Sequence, residues 1–405
     1  MTLEGWDHMP SSHLLSIEVD LSAIGGNYDL IRQICPGAEV AAVVKADAYG
    51  VGMAPIARHL AFKGCRTYFV AHLSEGEALR QALPEAEIYV LNGLIPGTEE
   101  AYPKFGLKPV LTSELQLDCW ISFCGERSAR ASAALQIDSG INRLGFRLDE
   151  VPTIRSKIDR HGDLFDLMMS HLACADVPAH PRNRSQIDAF TWARRELAGV
   201  RRASLAATAG CFLPEDAHFD LVRPGIGLYG GNPFATELNP FYHVVNVSAR
   251  LLQVKLHRSG EFVGYGDQNK LAADTLVGVI SVGYADGLPR HTSRPESEPL
   301  HFIYHGHRLP VLGRISMDMT RIDMTAVARM RPEVGRSVQI CSAAQPLEVL
   351  AEIWGTIPNE VLTSFSRRAE RTYFARERCP VLRPARLSGC GPVGSSSDGC
   401  PAAAE

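Results

Sequence analysis

Eight short apolar runs recur through the first part of the chain, at residues 40–44, 67–71, 88–91, 109–111, 133–137, 164–169, 203–206 and 219–222. Each is too short for a core helix, and most are separated by polar or amphipathic stretches of helical character, such as 74–82, 149–160 and 184–197. Runs that are apolar on both faces and alternate with such helices suit a parallel sheet covered by helices. Eight strand-then-helix units over about two hundred residues predict a (β/α)8 barrel of the TIM type. Pro109, in the fourth run, argues against an interior strand there. An alternating strand at 16–20 and a helix at 21–34, stopped by Cys35-Pro36-Gly37, precede the first run.

Beyond about Pro240 the rhythm changes. Residues 244–256, 260–266, 275–282, 301–314, 320–324 and 337–341 are β-branched and turn-punctuated, with few helical stretches between them, and two amphipathic segments at 347–353 and 359–366 follow. The fold class expected is therefore α/β: a barrel over 14–240, then a mainly β domain over 241–376. The Gly, Ser, Pro and Ala of 377–405 predict a disordered tail.

Composition narrows the function. A formal net charge of -4 over 405 residues leaves no basic surplus for a polyanion, so nucleic acid is not an expected partner. The N-terminal residues lack an apolar segment before a small-residue cleavage site, and no apolar run reaches spanning length, so neither a secretory signal nor a membrane anchor is expected. Ten cysteines stand singly, without metal-ligand spacing, as reduced thiols in a cytoplasmic protein would; no metal is expected.

The C-terminal ends of barrel strands form the face where chemistry is built. Lys45 ends the first run, and Tyr49, Gly50 and Gly52 follow it in a turn whose backbone can approach an anion closely. A strand-end lysine beside a phosphate-sized nest suggests pyridoxal phosphate, whose aldehyde takes a lysine amine in a Schiff base. A lysine snorkelling to solvent is the plainer reading. Asp138-Ser139-Gly140 and Arg143 follow the fifth run, His171 the sixth, Thr208 the seventh, and Arg223-Pro224-Gly225-Ile226 the eighth. Individually these could be a satisfied buried histidine, two ion-paired arginines and a helix-capping threonine. Together, Tyr49, Thr208 and the Gly225 and Ile226 amides could bind a phosphate, and Arg223 could face a ring nitrogen. Their common position at strand ends favours one shared ligand.

With these residues in view, the chain resembles the alanine racemase family, pyridoxal phosphate enzymes of fold type III. The matching motifs run in family order from Ile17 to Tyr373: Val44-Lys45-Ala46-Asp47-Ala48-Tyr49-Gly50, the Asp138 to Gly145 segment, Ser170 to Asp176, Arg223 to Gly230, Gly283-Tyr284-Ala285-Asp286-Gly287 and Gly313 to Asp318. The resemblance implies that Lys45 carries pyridoxal 5'-phosphate and that Lys45 and Tyr284 act as bases on opposite faces of alanine. Tyr284 would come from the second subunit of a head-to-tail homodimer, with His171 and Arg223 lowering its pKa. It implies cofactor contacts from Lys45, Tyr49, Leu91, His171, Thr208, Arg223, Gly225 and Ile226, and substrate contacts from Arg143 and the Met317 amide. D-alanine would serve peptidoglycan, or alanine catabolism in reverse.

Some positions depart from the family pattern. Gln136 stands where several members carry a carbamylated lysine that orients the arginine matching Arg143; its carbonyl could take over that task. Ala207 replaces a frequent asparagine, Thr208 a serine, and Arg367 a tyrosine near the phosphate. A racemase of another small amino acid, such as serine, or a non-racemase of the same fold type are the alternatives. Decarboxylases of the type place a glutamate near the ring nitrogen, where Arg223 stands here. Pyridoxal phosphate homeostasis proteins resemble the barrel alone.

Overall fold

A computed structural model describes residues 13–127, 131–234, 238–267, 269–290, 299–365 and 367–375. The expected tail at 377–405 lies outside them. Parallel strands run in spatial order Arg202–Ser204, Phe165–Met169, Ala133–Asp138, Leu107–Leu111, Glu87–Val90, Thr67–Val70 and Ala42–Val43, while Leu221–Val222 pairs with Glu39–Val40. The ring closes through backbone: Ala41 and Val43 donate to Val222 O and Pro224 O at 3.0 Å each, and a parallel bridge joins Ala207 to Arg223. The strands at 67–70 and 133–137 are buried throughout, with the polar Thr67 and Gln136 among them, as strands covered on both faces are. Pro109 sits inside Leu107–Leu111, opposite Val90.

The strands begin at a charged plug. Arg202 Nη2 lies 2.8 Å from Glu87 Oε2 and 2.7 Å from Tyr89 Oη, Tyr89 Oη donates to Asp166 Oδ1 at 3.0 Å, and Lys108 bridges Glu87 and Asp166. Burial alone would raise the Glu87 carboxyl, but Lys108 and Arg202 outweigh it and hold it down at about 2.

A second, mainly β unit follows. Its sheet runs His307–Pro310, His301–Tyr304, Ser337–Cys341, Val245–His257, Leu15–Asp20 and Glu370–Phe374, with Thr275–Ile280 and Thr320–Asp323 continuing from the long strand. The strand expected at 16–20 is present, but it lies in this sheet and not in the barrel. It pairs antiparallel with Val245–His257 and parallel with Glu370–Phe374. The second unit is thus built from both sides of the barrel segment. Residues 260–266 form a turn with one bridge, Phe262 to Lys270, where a strand was expected. Helices Leu347–Trp354 and Pro358–Ser364 close the unit. No described helix is long and apolar enough to cross a membrane.

Candidate active site

Lys45 follows the broken first strand and opens a turn of unusual hand. Ala46, Asp47, Ala48 and Tyr49 all take left-handed backbone angles, with φ of 52, 54, 54 and 57°. Such a conformation costs L-residues about 1–2 kcal/mol each and persists only where surroundings over-determine it. Here the surroundings are specific. Glu75 Oε1 accepts the Ala46 N–H at 2.6 Å, and Asp47 Oδ1 accepts the Met53 N–H at 2.8 Å. From the second unit, Arg371 Nε donates to Gly50 O at 2.7 Å and Tyr373 Oη to Val51 O at 2.9 Å. Tyr373 fills the space beside Gly52, whose φ of 103° also suits only glycine.

Around this turn the barrel gathers the residues expected from the sequence. Burial lowers the Lys45 amine, the Arg143 guanidinium lowers it further, and Glu75 opposes both. His171 is held down to about 3 by burial and by Arg223, Arg143 and Lys45. Arg223 is buried, with its guanidinium lowered to about 10 by desolvation, so it remains a cation at neutral pH. Among the described residues it forms no ion pair; it donates to Ser170 O at 2.6 Å and to Ser204 Oγ. Gln186 holds the neighbouring turn by accepting from Ala173 N at 2.8 Å and donating to His171 O at 3.0 Å.

The features expected to hold a phosphate also meet. The Tyr49 ring packs 4.7 Å from that of Tyr229 at a tilt of 34°, and its hydroxyl, raised to about 12 by burial, has no hydrogen-bond partner among the described residues. That hydroxyl rests against Gly225, in a cradle that a side chain on Gly225 would fill. Thr208 does not cap its helical turn with its side chain; its Oγ1 accepts the Gly225 N–H at 2.9 Å and the Gly227 N–H at 3.4 Å. It thereby shapes the Gly225–Ile226 backbone and retains its own hydroxyl proton for a ligand. Leu91 is half-buried just past Glu87–Val90. A lysine amine, an orphaned phenol, a buried cation and a glycine cradle suit pyridoxal phosphate.

Other expectations come out differently. Gln136 does not orient Arg143: its Nε2 turns back to Ile137 O at 3.4 Å, and Arg143 is exposed without a hydrogen bond or ion pair among the described residues. The close approach of Gly145 to Gln136 Cγ and O leaves that side chain packed against backbone. Arg367 is exposed and also without a partner among the described residues, while Arg368 bridges Asp286 and Asp318 at 2.8 and 2.9 Å.

Tyr284 and Met317 stand together in the second unit, joined by Tyr284 N to Ser316 O and Ala285 N to Met317 O, both 3.0 Å. They are 39% and 53% exposed, and Tyr284 makes no hydrogen bond to the barrel residues above. Glu75, Ser204 and Gln186 are site residues that the sequence reading does not pick out, and Ser170 enters it only as the first residue of its motif. Of the first three, Glu75 alone carries a signal, as an acidic residue in the first turn of its helix.

Comparison with known proteins follows the same two-part division. The family model described as Alanine racemase, N-terminal domain, matches residues 19–233, and that described as Alanine racemase, C-terminal domain, matches 244–373. The chain is 39% identical over 372 residues to a biosynthetic alanine racemase of Agrobacterium fabrum, covering 90% of this chain and 94% of that protein. It is also 39% identical over 389 residues to a catabolic alanine racemase of the same organism, covering 93% and 95%. The crystal structure of alanine racemase from Bartonella henselae with covalently bound pyridoxal phosphate superimposes with a TM-score of 0.83 at 35% identity, covering 89% of this chain and 99% of that one.

Proposed function

This chain belongs to the alanine racemase family, and we propose that it interconverts L- and D-alanine with pyridoxal phosphate held on Lys45. The observation that supports this assignment of residues is the convergence of Lys45, Arg143, His171 and Arg223 at one end of the barrel, beside the Tyr49–Gly225 cradle. In the proposed site Lys45 would hold the cofactor, and Tyr49, Thr208, Gly225 and Ile226 would receive its phosphate. Leu91 would lie alongside, and Arg223 would serve the ring nitrogen.

When bound, pyridoxal phosphate supplies a conjugated ring that accepts the electron pair released at Cα. Racemisation needs a proton acceptor on one face and a donor on the other. Lys45 serves one face; burial beside Arg143 favours its neutral amine. Tyr284 of a second copy serves the other, and Met317, bound to the same loop, brings its backbone amide to the substrate carboxylate opposite Arg143. A phenol titrating near about 10 needs help to lose its proton at neutral pH. The neutral His171 ring offers it a hydrogen bond, and the Arg223 cation favours its charged form. Arg223 keeps its own proton; beside a bound cofactor it would leave the ring nitrogen without one, which would favour brief removal and return of the Cα proton over deeper electron withdrawal.

The test is to incubate the protein and pyridoxal phosphate with L-alanine in heavy water, following Cα deuterium and the enantiomer ratio. Deuterated D-alanine is expected. Retained cofactor with neither exchange nor D-alanine would remove alanine as the substrate. The residues assigned here serve both directions, in keeping with relatives named biosynthetic and catabolic at equal identity.

A further inference from the structure

Glu75 lies in the first turn of the helix Leu73–Ala82, where an acidic side chain commonly accepts the N–H groups at a helix start. Its Oε2 does this, taking the Ala71 and His72 N–H groups at 2.8 and 3.1 Å. Its Oε1 does something helix capping does not need. It crosses to the preceding βα unit and takes the Ala46 N–H at 2.6 Å, 29 residues away in sequence. The Lys45–Ala46 peptide is the hinge between the end of the first strand and the left-handed turn, so fixing its N–H fixes the direction in which Lys45 leaves the backbone.

Resting on the reading that Lys45 carries the cofactor, we propose that Glu75 is the positioning residue of Lys45. Its carboxylate ties the lysine turn to the next strand end and stands as the counter-charge to the amine. Among the described residues Glu75 forms no ion pair, so its charge is not already spent on another cation. Arg143 and His171 face Lys45 from the loops after Ala133–Asp138 and Phe165–Met169. Asp47 and Tyr49 lie in its own turn, and Arg371 and Tyr373 brace that turn from the second unit. Of the two carboxylates in this set, Asp47 is folded back on the Met53 N–H. Glu75 is the one that opposes the downward shift of the amine.

The test measures how fast trinitrobenzenesulfonate labels Lys45 as a function of pH, by peptide mapping of the full-length chain before cofactor is added. Exposed Lys104 serves as internal reference. In Glu75→Gln the Lys45 midpoint is expected to fall by at least about half a pH unit while the Lys104 midpoint stays. Glu75→Asp, which keeps the charge but draws it back by one methylene, is expected to shift the same way by less. If Glu75→Gln does not fold, Glu75→Asp carries the test alone. A Lys45 midpoint equal to wild type in the folded variants overturns the proposal. Borohydride reduction of the wild-type holoprotein separates the two readings. Cofactor fixed to another lysine would defeat the Lys45 assignment itself; cofactor fixed to Lys45 with unmoved midpoints would defeat only the role of Glu75.

Discussion

The phenol of Tyr49 lies against the α-carbon of Gly225, so close that a methyl group there would strike its hydroxyl and stand 3.1 Å from Cζ. The two residues come from opposite ends of the barrel sequence and meet only because the ring closes. If this contact is the floor of the phosphate site, Gly225→Ala should weaken pyridoxal phosphate binding at least about tenfold, since the added carbon must displace Tyr49 or the bound group. A visible-absorbance titration with an unchanged dissociation constant would remove Gly225 from the site.

Lys45→Ala should leave the barrel folded and abolish the visible absorption band that forms when pyridoxal phosphate is added. Lys45 is half-buried where its strand ends, so circular dichroism should match the parent. A band of unchanged position and intensity would exclude Lys45 as the attachment point.

Lys45→Ala and Tyr284→Phe are each expected to be inactive, yet a mixture of the two should recover activity. If each site draws one residue from each chain, half the dimers in an equal mixture are mixed, and each of those has one intact site. Recovery should therefore approach about a quarter of wild-type turnover. No recovery after demonstrated subunit exchange would place both residues in one chain's site or remove Tyr284 from the chemistry.

Arg371→Met should loosen the lysine turn from outside the barrel. The variant loses the charged hydrogen bond to Gly50 O and should be less stable by about 1.5–3 kcal/mol in urea unfolding. Equal midpoints would mean that the second unit does not brace the turn energetically.

Glu87 gives a pH dependence of known sign. Its folded carboxyl, at about 2, lies below the ordinary 4.5, so it contributes stability that is present above about 4.5 and is lost as pH falls toward about 2. Glu87→Gln should be less stable at neutral pH and lose less stability across that window. Parallel acid limbs for the two proteins would show that Lys108 and Arg202 do not favour the charged form.

Much of this architecture can be read locally. Leu21–Ile34 has apolar residues at helical spacing and a Cys-Pro-Gly stop, and its bounds coincide with the expected helix. The strand ends likewise announced Lys45, His171 and Arg223, because short apolar runs stop where polar residues begin. What could not be read depends on distant contacts. Ala46-Asp47-Ala48-Tyr49 contains no glycine, so nothing local marks its left-handed turn; Glu75 and the strand that carries Arg371 and Tyr373 impose it from two other places in the sequence. The strand Leu15–Asp20 alternates correctly, but alternation does not tell which sheet a strand will join. The closing strand Glu370–Phe374 gives no strand signal, because charged side chains interrupt its apolar pattern.

That first strand has a consequence for how the protein is made. Leu15–Asp20 leaves the ribosome before the barrel segment, but its parallel neighbour, Glu370–Phe374, leaves only after it. The barrel lies between them in sequence and can fold as a unit while the strand waits. The second sheet therefore cannot be completed during synthesis of the barrel; its last pairing is a late, long-range closure, slow to form and exposed until it does. Arg371 and Tyr373 arrive in that same closing strand, so the brace on the lysine turn is set only when the final seam is sealed.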